Sequence, residues 1–97
     1  DILEKILINW KNELNDNFSI FVIPPYQYVE EFSNSNYFIK RFSELETNHK
    51  MKITNPLNSL LRLPFNERRE IRFPVDTHFS PKGHLIYSKL FKKQWVQ

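Results

Sequence analysis

Phe18-Ser19-Ile20-Phe21-Val22-Ile23 is a nearly unbroken run of β-branched and aromatic residues, and Pro24-Pro25 halts it. Such a run suits a strand covered on both faces, the usual condition of a parallel sheet. Ahead of it, Leu3, Leu7, Trp10 and Leu14 recur at helical spacing, with Ile2 and Ile6 widening the stripe, which predicts a helix over residues 1–15. Asn15-Asp16-Asn17 supplies a turn between the two. Helix, short turn and buried strand in that order specify an α/β chain with a parallel sheet. Ligands of such sheets gather beyond the carboxyl ends of the strands, so Pro25 and Tyr26 become candidate rim residues, with an ordinary packed loop as the alternative.

The next segments continue the pattern. Ser33-Asn34-Ser35-Asn36 is a polar turn, and Phe38, Ile39, Phe42 and Leu45 recur at three- and four-residue steps toward Asn48, which predicts a second helix. Met51–Thr54 is a short strand stopped by Asn55-Pro56, and Leu57, Leu60, Leu61 and Leu63 suit a helical turn. Asn66-Glu67-Arg68-Arg69-Glu70 reads as a solvated, charged loop. Arg68, Arg69 and Arg72 could face a phosphate or polysaccharide, because the guanidinium fork matches oxyanions. From Ser80 to about Trp95 a last helix is expected, with Ile86, Tyr87, Leu90, Phe91 and Trp95 on its apolar face. Lys89, Lys92 and Lys93 stand near its end, where cations complement the helix dipole.

Composition limits the possible functions. The 97 residues suffice for one small core, and 40% hydrophobic content argues against disorder. The absence of cysteine excludes disulfides and thiolate metal sites. A net charge of +3 is too mild to indicate a nucleic-acid partner. No apolar run reaches membrane-spanning length, and the first residues do not follow a signal-peptide layout. The compartment is left open. A chain beginning at Asp1 suggests a piece of a longer protein.

The densest chemistry lies in Pro74-Val75-Asp76-Thr77-His78-Phe79-Ser80-Pro81-Lys82-Gly83-His84, which includes the only glycine. Ser80 followed by Pro81 is a helix start: a hydroxyl able to accept from a free N–H, then a proline where no donor is lost. Pro74 forces Phe73 into extended geometry, so Asp76 and His78 fall on the connection between an extended segment and a helix. Two apart on extended chain, they share a side. A carboxylate accepting from one ring nitrogen leaves the other free to take a proton, which is the orienter and base of a hydrolytic triad. The plain alternative is loop polarity beside a helix cap. A metal site from Asp76, His78, His84 and His49 has weaker support, since the last two lack any defining spacing.

The order of elements, together with Val75–His84 and the amphipathic segment after it, resembles the C-terminal half of the SGNH hydrolase superfamily, the GDSL-type esterases and their O-acyltransferase relatives. The resemblance spans nearly the whole chain, moderately specific at Asp76–His84 and topological elsewhere. It implies a partial flavodoxin-like three-layer α/β fold over residues 1–97, with short parallel strands flanked by about three helices and the N-terminal half absent. It implies His78 as general base, Asp76 as its orienter, and Phe18–Pro25 as a core strand. The spacing Asp76-Thr77-His78 is similar to that of polysaccharide O-acetyltransferase relatives rather than the commoner Asp-x-x-His. The family's Gly-Asp-Ser nucleophile block and its Gly and Asn oxyanion donors have no counterpart among these residues.

The expected function is therefore half of an acyl-transfer site, inactive alone, on an ester of a carbohydrate or lipid. Its rim would be Pro25, Tyr26 and Arg72, with no cofactor and no metal. Its partner would be the missing half-domain or a second copy. A non-catalytic, basic α/β interaction module is the alternative.

Overall fold

The computed structural model describes residues 2–95, excepting the side chains of Asp16, Gln94 and Trp95. The expected places of Asp1 in the first helix and of the Trp95 ring in the last apolar face lie outside the described residues. The elements run α1 (Ile2–Leu14), a 3-10 turn (Asn15–Asn17), β1 (Ser19–Phe21), α2 (Tyr26–Val29), α3 (Asn36–His49), β2 (Lys52–Thr54), α4 (Leu57–Leu61), α5 (Phe65–Arg69) and α6 (Pro81–Trp95). The chain is a small mixed α/β protein with a two-stranded parallel sheet, and it divides into two compact units.

The first unit holds the described residues up to Val22 together with Asn36–Asn55. β1 and β2 pair in parallel, with Ser19 opposite Lys52, Ile20 opposite Ile53 and Phe21 opposite Thr54. The Val22 N–H donates to the Thr54 carbonyl at 2.8 Å and extends the ladder by one bond. Leu7, Leu45 and Met51 are buried at the centre, with Ile8, Phe18, Ile20, Phe42 and Ile53 packed around them. Asn15 and Lys50 adopt left-handed backbone (φ 52° and 54°) at the ends of α1 and α3.

Two sequence expectations differ here. β1 is half-buried along its length rather than covered on both faces. The stripe on α1 is amphipathic as predicted, but of its apolar residues only Leu7 is buried. Ile2 is 78% exposed, Leu3 56%, Trp10 51% and Leu14 49%. Periodicity records which side of a helix is apolar, and says nothing of whether anything covers it.

The second unit holds Ile23–Ser35 and the residues from Pro56 onward. Prolines open its helices: Pro25, Pro56 and Pro64 stand immediately before α2, α4 and α5, and Pro81 is the first residue of α6. Proline loses no hydrogen bond at a helix start and holds φ near the helical value. Val29, Leu57, Leu60, Ile71 and Tyr87 are buried. Residues 66–70, expected as a solvated loop, fall on α5 and its C-cap Glu70, and Arg68 is only 7% exposed. Its charge is met from a distance, by a carboxylate 37 residues earlier.

Between α5 and α6 the chain makes a hairpin. The Phe73 N–H donates to the His78 carbonyl (3.2 Å), the Ser80 N–H to the Ile71 carbonyl (2.8 Å), and Arg72 bridges Phe79 in antiparallel fashion. Pro74 sits at the second position of the turn closed by the Asp76 N–H on the Phe73 carbonyl, a position its fixed φ suits. The expected helix start is present: the Gly83 N–H donates to Ser80 Oγ at 3.1 Å. Gly83 is buried, and a Cβ there would fall 2.1 Å from the Ile71 carbonyl oxygen. The glycine lets α6 approach the hairpin backbone.

Candidate functional site

The hairpin turn holds Asp76 and His78. Asp76 Oδ1 accepts the His78 backbone N–H at 3.0 Å and lies 2.5 Å from His78 Nδ1. A turn that folds the carboxylate back over the next-but-one residue creates this pairing, rather than the alternation of extended chain. The backbone bond first, and then the ring bond, hold the Asp76 carboxyl below its ordinary range. A carboxylate on Nδ1 selects the Nδ1–H tautomer and leaves Nε2 as a bare acceptor. The His78 side chain is 84% exposed, so that nitrogen is open to a reactant.

Thr77 and Phe79, on either side of His78, line a cavity of about 360 Å³ within the second unit. Pro25, Tyr26 and Arg72 line it as well, so the three predicted rim residues come together. Arg72 is held from two sides. Its Nε and Nη2 donate to the two carboxylate oxygens of Glu30 at 2.6 and 3.1 Å, and its guanidinium lies 4.3 Å from the centre of the Tyr26 ring. The hydrogen bond to Glu30 raises the Arg72 pKa further above its usual value. The Glu30 side chain has no exposed surface, and Arg69 Nε approaches it at 3.6 Å.

Arg68 is committed in the same manner. Its Nη1 donates to the Val29 carbonyl and to Glu31, both at 2.8 Å, and its Nε to the Leu63 carbonyl at 3.0 Å. Arg69 Nη2 donates to the Pro74 carbonyl at 2.9 Å, fastening the hairpin turn to α5. The arginines therefore tie α2, α5 and the hairpin around the cavity. Burying one charge costs far more than burying a pair with its hydrogen bonds satisfied, so Glu30 and Arg72 enforce each other's position.

The sequence reading overlooked Glu30 and the cavity-lining Tyr87. The one signal for the first was the acidic pair Glu30-Glu31 after Pro-Pro, set against the later Arg68, Arg69 and Arg72. For Tyr87 the sequence carries no signal beyond its place on the apolar face of a helix. Of the other histidines, His84 meets the edge of the Phe79 ring at 5.5 Å and His49 ends α3. Among the described residues no three His, Asp or Glu side chains are grouped to hold a metal ion, and no helix is long and apolar enough to cross a membrane.

A solvent-facing carboxylate–imidazole pair beside a cavity lined by aliphatic, aromatic and charged side chains is the class of site these elements define. No protein-family model, no curated protein and no solved structure matches this chain.

Proposed function

We propose that the chain supplies the general base and its orienting carboxylate for a Ser-His-Asp acyl-transfer centre of the SGNH kind, within a flavodoxin-like three-layer domain completed by another segment or another chain. The substrate is an ester of a carbohydrate or lipid. Asp76 fixes the imidazole, and His78 Nε2 takes the proton of an alcohol as that alcohol attacks the ester carbonyl. The observation that carries the reading is the 2.5 Å separation of Asp76 Oδ1 and His78 Nδ1 on a ring that is otherwise open to solvent.

The attacking hydroxyl comes from elsewhere. Ser80, the nearest serine in the sequence, is used up by structure. Its hydroxyl lies 2.5 Å from the Glu70 carbonyl and 3.0 Å from that of Ile71, and its oxygen accepts the Gly83 N–H. These residues alone therefore do not turn over esters. In the protein as its gene encodes it, His78→Ala lowers p-nitrophenyl acetate hydrolysis by about a thousandfold or more; undiminished turnover removes His78 from the mechanism.

A second reading, a non-catalytic interaction module, draws on the exposed apolar residues of α1 and on Lys89, Lys92 and Lys93. Under that reading Asp76 only stabilises its turn. Binding to an anionic polymer that weakens steeply with salt favours it over the first.

A further inference from the structure

Tyr87 lines the cavity, and no interaction described so far uses its hydroxyl. It is 7% exposed, and its hydroxyl has no hydrogen-bond partner and is closed to solvent. A buried hydroxyl left without a partner is destabilising, and such groups call for an explanation. Burial also pushes the phenol well above its ordinary range, so it remains a neutral donor at any working pH. The Phe79 ring lies flat on the Tyr87 ring, with centroids 4.6 Å apart and planes 12° from parallel. Phe79 is itself half-buried and adjoins His78. Both rings line the cavity.

The rest of the cavity limits what can bind. Pro24, Val29 and Ile71 make apolar wall, and the Glu30–Arg72 pair is internally neutral. A small, mainly apolar molecule with one acceptor oxygen fits this chemistry, and at about 360 Å³ the cavity is at the small end of ligand sites. We propose that the Tyr87 hydroxyl is the donor that binds the carbonyl oxygen of an ester or ketone in this cavity. The choice of a carbonyl ligand rests on the acyl-transfer reading above. In that setting the Tyr87 hydroxyl would supply a donor of the kind an oxyanion requires, which the family's Gly and Asn blocks, without counterpart among these residues, would otherwise provide.

The test pairs acetophenone with ethylbenzene, a ligand of similar shape without the oxygen, followed by NMR of the Val29, Ile71 and Tyr87 signals of the whole chain. Acetophenone is expected to shift these signals and to bind about five- to tenfold more tightly than ethylbenzene. Tyr87→Phe, which removes the orphaned hydroxyl, is expected to fold and to abolish that preference while keeping ethylbenzene affinity. A preference that survives in Tyr87→Phe overturns the proposal, as does acetophenone binding that leaves the Val29 and Ile71 signals unmoved. Neither measurement involves a nucleophile or His78. No ketone preference in the unaltered chain, with His78-dependent turnover intact, sinks this inference alone; a Tyr87-dependent preference without His78-dependent turnover sinks the acyl-transfer reading alone.

Discussion

The two units are stabilised by different physics. The first packs a small apolar cluster around Leu7, Leu45 and Met51, keeps its ion pairs of Arg41 with Glu4 and Glu44 part-exposed, and leaves much of the α1 stripe in water. The second buries a carboxylate and an arginine beside its aliphatic core and uses them to bring distant segments to one cavity. Apolar burial is tolerant of shape and direction, whereas a buried ion pair fixes both, because each lost hydrogen bond leaves an uncompensated charge. The unit with the candidate site is thus the one whose geometry is most strictly determined.

That contrast can be broken most decisively at Glu30. Glu30→Ala strands Arg72, with an expected loss of about 3 kcal/mol in urea unfolding. A double-mutant cycle with Arg72→Met should recover a substantial part of it; additive losses would show that the pair is not the clamp described here. Gly83→Ala comes next. A methyl group 2.1 Å from the Ile71 carbonyl oxygen forces α6 away from the hairpin, at a cost of about 2–3 kcal/mol. In the first unit, Leu7→Ala should cost about 2 kcal/mol while Ile2→Ala costs under about 0.5, as their burial dictates. Equal losses at the two positions would mean that the α1 stripe is covered in solution. Smallest of all, Lys50→Gly should add about 0.5–1 kcal/mol by relieving the left-handed residue after α3.

A pH series sharpens the comparison at the hairpin. The folded-state pKa of Asp76 is depressed, so its contribution is complete above the ordinary aspartate value of about 3.9 and is lost as the pH falls through the lower folded value. The Asp76 side-chain carboxyl carbon should show its own protonation step below the ordinary aspartate value of about 3.9. A step at or above that value would show that the turn does not hold the carboxylate.

Local chemistry was legible in the sequence. Ser80-Pro81 specified a helix start because a cap acts within three residues, and the Gly83 N–H does bond Ser80. The spacing of Phe38, Phe42 and Leu45 specified α3 for the same reason of short range. The meeting of Asp76 with His78 was foreseen, although a turn rather than extended backbone brings them together. Glu30 lay beyond reach because its partner Arg72 stands 42 residues away and ion pairs follow no period. The same gap made Asn66–Glu70 read as solvated, since charges look like surface until their partners are known. The exposure of α1 was hidden for the opposite reason, as an apolar stripe carries no record of its cover.

The most direct test is the tautomer of His78, read from long-range proton–nitrogen NMR of the chain at about pH 8. The Asp76 carboxylate can accept only from a protonated Nδ1, so the spectrum should show Nδ1–H with a bare Nε2, and Asp76→Ala should return the ring to the Nε2–H form common in free histidine. A ring already in the Nε2–H form in the unaltered chain would mean that the carboxylate does not hold the imidazole, and His78 would not be poised as a base.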